Sequence, residues 1–156
     1  INLYGWIKYC CEQTVRLQGY TSVRLPFMFG RSLLNGRPHF IEHIEEVVKS
    51  GKDFEVLSDY YENSLDYETV ASCIVELFMR FGVEIPEPII HICADKPISK
   101  YEIAIAFAKQ NNLPIDHLKP LRLQDAHFFD AKRATILLDN SRLKSLIEVK
   151  SLSPKF

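Results

Sequence analysis

The spacing of apolar residues along the chain predicts four main helices. Apolar side chains recur at helical intervals, and Gly or Asn follows shortly after each pattern stops. These patterns cover residues 3–17, 40–49, 66–81 and 99–110. Ser99 followed by Glu102 forms a capping box, which predicts the start of the fourth helix. A short fifth helix is expected through Leu146, capped by Asp139 or Asn140.

Short runs of residues that favour strands lie between the helices, at 21–29, 54–57, 89–94 and 118–123. The runs at 21–29 and 89–94 are apolar enough to predict buried parallel strands. Pro26 predicts that the first of them ends early or lies at an edge. This alternation of strands and helices predicts an α/β architecture. Because buried parallel strands need neighbours on both edges, we expect most of their sheet to lie outside this sequence.

Composition and charge exclude several classes of function. The 156 residues fall in the range of a single domain, with 47% apolar and 25% charged residues. A net charge of −1 provides no field that would attract nucleic acid or an anionic membrane. The sequence has no apolar run near the roughly 20 residues that span a bilayer, and its first residues do not form a signal peptide. We therefore expect a cytoplasmic protein without nucleic-acid or membrane partners.

The cysteines and histidines do not predict a metal site. The four cysteines lack the C-x-x-C spacing of zinc sites, and buried reduced thiols are expected. They are Cys10, Cys11, Cys73 and Cys93. His39 and His43 have the i,i+4 spacing of a helical metal site, but the sequence offers no third ligand among the glutamates around them. We expect a solvated helix face there and no metal.

Tyr4 and Lys8 form the most informative pair of polar residues. Their i,i+4 spacing on a predicted helix places both side chains on one face. A free phenol, with a pKa of about 10, is a poor acid at neutral pH, and a nearby ammonium makes it a better one by stabilising the phenolate. The pair could therefore donate a proton to a carbonyl oxygen during hydride transfer. The same spacing also occurs by chance, as an exposed helix pair.

The residues around this pair follow a longer ordered pattern. The sequence reads N-x-Y-G-x-x-K-x-x-x-E from Asn2 and R-x-x-x-x-F-G from Arg24. Further matches follow in order: Phe40, Asp59 with N-S-L and V-A downstream, His91, S-K-Y-E from Ser99, and L-D-N-S-R-L from Leu138. With this set, nearly the whole chain resembles the extended short-chain dehydrogenases/reductases. Within them it is most similar to the dTDP-4-dehydrorhamnose reductase group.

The resemblance implies the carboxy-terminal part of a Rossmann-type extended short-chain reductase with its small substrate-binding subdomain. Residues 1–30 would be the last part of the Rossmann-like core. Residues 31–156 would be mainly the substrate-binding subdomain, with the strand at 89–94 returning to the core sheet. None of the six glycines forms the G-x-G-x-x-G fingerprint of a dinucleotide site. The glycine-rich cofactor half is therefore absent from this sequence, and the isolated fragment is expected to be inactive.

The resemblance also implies an activity and its residues. NADPH or NADH would reduce a nucleotide-linked 4-keto-6-deoxy sugar, with Tyr4 as the general acid. Lys8 would hold the ribose hydroxyls of the cofactor. The cofactor would also contact Leu25 and Pro26, and the substrate would contact Phe27, Phe40, Lys132 and Arg133. The last two replace an R-P pair of the family; they could bind a diphosphate or be surface charge. A homodimer is compatible with this resemblance.

Two other functions remain open at this point. A nucleotide-sugar epimerase or dehydratase of the same superfamily keeps the same tyrosine and lysine. A non-catalytic regulatory subunit, like that of methionine adenosyltransferase, has the same fold and a similar segment, which His91 and the K-Y-E run from Lys100 match here. A tightly bound NAD would favour the epimerase or dehydratase, and co-purification with a synthetase would favour the regulatory subunit.

Overall fold

The structure is a computed structural model that describes residues 3–32, 38–126, 135 and 137–156. Its helices begin and end close to the predicted positions. They are α1 (Leu3–Leu17), α2 (Phe40–Lys49), α3 (Tyr67–Phe81), α4 (Lys100–Gln110) and α5 (Ser141–Leu146), with a 3₁₀ turn at Leu123–Asp125.

Local capping explains where two of the longer helices begin. Asp66 precedes α3, and its carboxylate accepts a hydrogen bond from the Thr69 amide at 2.8 Å. Ser99 precedes α4 and forms the predicted capping box with Glu102. Each cap satisfies amide groups that have no partner within the first turn of a helix. The capping-box prediction is confirmed.

The strands are short and, within the described residues, pair two by two. Three pairs are parallel: β1 (Ser22–Arg24) with β6 (Ile89–His91), β2 (Met28–Phe29) with β5 (Leu65–Asp66), and β3 (Phe54–Leu57) with β8 (Leu118–Leu121). The fourth, β4 (Tyr61–Glu62) with β7 (Ile98–Ser99), is antiparallel. The predicted α/β class is confirmed.

The strand predicted at 21–29 is wrong as a single buried element. The structure divides it into β1 and β2, which belong to different sheets, and Val23 of β1 is exposed. Pro26 lies between the two strands, where it would be unable to donate a ladder hydrogen bond. The expected early end of the strand at Pro26 is therefore confirmed.

Apolar side chains form two main cores. One lies between α2, α4, β3 and β8 and buries Ile44 and Ile103 completely. The other lies between α3, α5 and β6 and buries Ile90 and Leu143 completely. Met28 of β2 packs against the second core and Phe29 belongs to the first. The strand β2 therefore links the two cores.

Buried polar residues join the carboxy-terminal segment to these cores. The Asn63 side chain donates to the Ala94 carbonyl at 2.9 Å and accepts from the Leu138 amide at 3.0 Å. The Asp66 carboxylate accepts from the Lys155 amide at 2.9 Å. Because buried polar groups stabilise a fold only when they are hydrogen-bonded, these contacts fix the path of residues 137–156.

Helix α1 differs from the other long helices because none of its residues is buried. Leu3, Trp6 and Ile7 each expose more than half of their accessible surface. The cysteine prediction is wrong for this helix, since Cys10 and Cys11 are exposed, while Cys73 and Cys93 are buried as expected and all four thiols are free. In the part of the chain that the structure describes, no helix is both long and apolar enough to cross a bilayer.

Candidate active site

Tyr4 and Lys8 lie one turn apart on the exposed surface of α1. Lys8 Nζ lies 5.6 Å from the centroid of the Tyr4 ring, within the range of a cation–π contact. Tyr4 exposes 69% of its surface, so its hydroxyl is open to a second molecule. The structure therefore brings together the phenol and the ammonium that the sequence predicted as a pair.

Leu25 and Pro26 follow β1 directly, in the connection to β2. Leu25 is exposed and Pro26 is partly buried. Helix α1 contacts β1, so these two residues continue from the strand that supports the helix. Their assignment to the cofactor remains a prediction.

Phe27 and Phe40 meet in an edge-to-face contact between the β2 entry and the start of α2. Their ring centroids are 5.5 Å apart at an interplanar angle of 84°. Lys100, at the start of α4, places its Nζ 4.4 Å from the centroid of Phe27. The two aromatic residues predicted to bind substrate are therefore adjacent, with a cation that the sequence did not assign to them.

The other predicted residues do not add to this geometry. Lys132 and Arg133 lie outside the described residues, so their proposed contact with a diphosphate stays a prediction. His39 and His43 are both exposed, as expected for a solvated helix face. His43 packs edge-on against Phe54, and His39 packs edge-on against Tyr67. Each imidazole therefore has an aromatic neighbour.

An ion pair that the sequence analysis did not predict joins α1 to β1. Glu12 lies one turn after Lys8, and its carboxylate binds the Arg24 guanidinium through two contacts, of 2.7 and 2.8 Å. The Arg24 hydrogen bond holds the pKa of the Glu12 carboxyl below its ordinary value. The signal was present in the sequence, because Glu12 ends the N-x-Y-G pattern and Arg24 begins the R-x-x-x-x-F-G pattern.

His91 extends this contact into β6. Its Nε2 lies 3.4 Å from Arg24 Nη1, and its Nδ1 lies 3.0 Å from the carbonyl oxygen of Asp139. A carbonyl can only accept, so Nδ1 carries the proton and Nε2 accepts from the guanidinium. His91 is partly buried, and both of its ring nitrogens have a partner.

A cavity of about 1040 Å³ opens beside Gly30, at the far end of β2. Aromatic residues form much of its described wall: Phe29, Tyr67, Phe107 and Phe156. Gly30 has φ +151°, and a Cβ at this position would lie 2.5 Å from Cδ2 of Tyr67. None of the described wall residues is a predicted site residue. The cavity is therefore distinct from the Tyr4–Lys8 pair.

Solved structures of sugar-nucleotide enzymes share this fold. The dTDP-4-dehydrorhamnose reductase from Bacillus anthracis, in complex with NADP, is 20% identical with a TM-score of 0.77, and the match covers 97% of this chain and 52% of that one. The enzyme of the same name from Yersinia enterocolitica is 18% identical with a TM-score of 0.74, covering 98% and 52%. At these identities, the likeness shows the fold.

A UDP-N-acetylglucosamine 4-epimerase from Bacillus cereus also matches, at 15% identity and a TM-score of 0.65, covering 95% of this chain and 48% of that one. The chain thus spans about half the length of each of these enzymes. A comparison with curated proteins gives no match. Residues 1–152 match the family described as the RmlD substrate binding domain. The chain therefore belongs to the RmlD substrate-binding-domain family.

Proposed function

We propose that this chain is the substrate-binding and proton-donating half of an NAD(P)H-dependent reductase of nucleotide-linked 4-keto-6-deoxy sugars. The observation that carries the proposal is the family match over residues 1–152, within which Tyr4 and Lys8 form an exposed pair on α1. Reductases named for dTDP-4-dehydrorhamnose share the fold. The activity would need a cofactor-binding half that this sequence does not contain.

The exposed pair suits the chemistry of carbonyl reduction. A bound nicotinamide would supply a hydride to the keto carbon. The Tyr4 hydroxyl would give its proton to the keto oxygen, which prevents a negative charge from accumulating there. Lys8 would stabilise the resulting phenolate and donate hydrogen bonds to the ribose hydroxyls. Both side chains are exposed on one face of α1, so they fit a cofactor and a sugar that approach from outside this chain.

The aromatic pair suits the binding of a sugar nucleotide. Phe27 and Phe40 offer apolar ring surface, and Lys100 places a positive charge beside it. Ring surface packs against a sugar or a base, and an ammonium attracts a diphosphate. Lys132 and Arg133 would add charge to the same substrate.

The proposal is tested with the intact protein, containing the cofactor-binding half, incubated with NADPH and a dTDP-linked 4-keto-6-deoxy sugar. We expect one NADPH oxidised for each 4-hydroxy sugar formed. Inversion of a nucleotide sugar at C4 by a protein-bound NAD, without net oxidation, would replace the proposal with an epimerase. No turnover together with stable co-purification of a synthetase would replace it with a regulatory subunit.

A further inference from the structure

Helix α1 has little apolar packing to fix its orientation. None of its residues is buried, and its large side chains point to solvent at Leu3, Tyr4, Trp6, Ile7, Tyr9 and Leu17. The backbone amides of Gly19 and Tyr20 donate hydrogen bonds to carbonyl groups in the last turn of α1. Because buried packing supplies most of the stability of helices in proteins, the contacts that orient α1 against β1 within this chain are mainly polar.

The Glu12–Arg24 pair lies on the same side of α1 as the candidate catalytic residues. Glu12 follows Lys8 by four residues and Tyr4 by eight, so the three side chains form a row along one face. The Glu12 side chain is 12% exposed, against 47% for Arg24. The carboxylate is thus better shielded from water than the guanidinium that it binds, and shielding strengthens the hydrogen bonds between them.

Arg24 is itself held on both sides. Its Nε and Nη2 donate to the two oxygens of Glu12, and its Nη1 donates to Nε2 of His91. His91 is oriented in turn by the carbonyl of Asp139. Residues from α1 and β6 therefore meet at the planar guanidinium of Arg24 in β1, and the segment before α5 is linked to it through His91. A lysine could keep the charge but not this fork of donors.

We propose that Glu12, Arg24 and His91 form a positioning network that sets the orientation of α1 and, through it, the placement of Tyr4 and Lys8. This inference rests on the proposed function for its effect on turnover. It assigns no contact with substrate to the three residues. Small misplacements of a proton donor reduce rate strongly, by up to about 100-fold for a shift of about 1 Å.

The test compares Glu12→Gln, Arg24→Lys and the charge-exchanged double variant Glu12→Arg/Arg24→Glu. Glu45→Gln is the matched control, because Glu45 lies on α2 and the change breaks its ion pairs with Arg31 and Lys49 without altering a contact of α1. In the intact protein, we expect each single variant to lower kcat by about 10-fold or more with a smaller change in the KM of the sugar nucleotide. The double variant should recover part of the loss, and the control should keep kcat.

Hydrogen exchange separates this inference from the proposed function, because it needs no turnover. In the intact protein, the amides of α1 should exchange faster in both single variants than in the wild type and the control. Unchanged exchange would overturn the network. Faster exchange with unchanged kcat in an active enzyme would overturn the positioning role. A wild-type protein that reduces no keto sugar would refute the proposed function, while the exchange of α1 would still decide whether the network holds the helix.

Discussion

Asp95, four residues after β6, binds the carboxy-terminal segment. Its contacts allow a quantitative prediction of how the stability of the protein changes with pH. Its carboxylate binds Lys144 Nζ at 2.6 Å, the Asn140 side chain at 2.8 Å and the Leu152 amide at 3.2 Å. The Lys144 contact lowers the pKa of Asp95 from 3.8 to about 2. Each of these partners favours the ionised carboxylate, so protonation of Asp95 should loosen residues 140–152.

The lowered pKa of Asp95 gives the size of its contribution to the folding free energy. A fall from 3.8 to about 2 corresponds to about 2.4 kcal/mol of folding free energy at full strength. The Asp95 side chain is 28% exposed and water screens the ion pair, so we expect about 1 kcal/mol. Because the pKa is lowered in the folded state, this contribution is complete above about pH 4 and is lost as the pH falls toward about 2.

The assay is the free energy of unfolding of the intact protein in urea, followed by circular dichroism at several pH values between about 6 and about 2. The wild type should lose about 1 kcal/mol more than Asp95→Asn across this range. Lys144→Met should reproduce the variant's flatter profile, and Asp116→Asn, at an exposed carboxylate, should behave like the wild type. Equal pH dependence of the wild type and Asp95→Asn would refute the reasoning.

Three further predictions concern the Tyr4–Lys8 pair, the exposed apolar surface of α1 and β1, and Gly30 at the end of β2. Lys8→Met in the intact protein should both shift the pH profile of turnover to higher pH and weaken cofactor binding. Lys8→Arg should not fully restore the pH profile or the cofactor affinity. If Lys8→Met left both unchanged, the Tyr4–Lys8 pair would be only a surface contact. The isolated chain should associate and unfold broadly at low temperature, because α1 and β1 expose apolar surface; a sharp transition of a monomer in sedimentation and calorimetry would contradict this. Gly30→Ala should lower the free energy of unfolding by about 2 kcal/mol in the same urea titration, because the added Cβ would clash with Tyr67. Gly51→Ala is the control and should cost less, because Gly51 has φ +68° but open space around it.

Local patterns in the sequence were sufficient to predict most of the secondary structure. The bounds of α1, α2 and β3 agree with the apolar periodicity, and the capping box at Ser99 gave the start of α4. These features depend on neighbours within a few residues, so a single sequence contains the information. Pro26 likewise predicted the early end of the first strand, which the structure places at Arg24.

Contacts between distant residues were harder to predict. Glu12 and Arg24 were both visible in the motifs, but their pairing depends on how α1 crosses β1, which periodicity does not specify. The contact of Lys100 with Phe27 depends on the relative placement of α4 and β2 in the same way. Exposure of Cys10 and Cys11 was also missed, because composition alone favours burial of a free cysteine.

The central claim is that Tyr4 donates the proton in the reduction of a keto-sugar nucleotide. The most direct test is the rate of NADPH-dependent reduction by the intact protein and its Tyr4→Phe variant, with Tyr9→Phe as the control because Tyr9 is also an exposed tyrosine of α1. Tyr4→Phe removes one hydroxyl and should lower kcat by about 100- to 10,000-fold while substrate binding changes little. Tyr9→Phe should keep the wild-type rate. Near-normal reduction by Tyr4→Phe would contradict the assigned role.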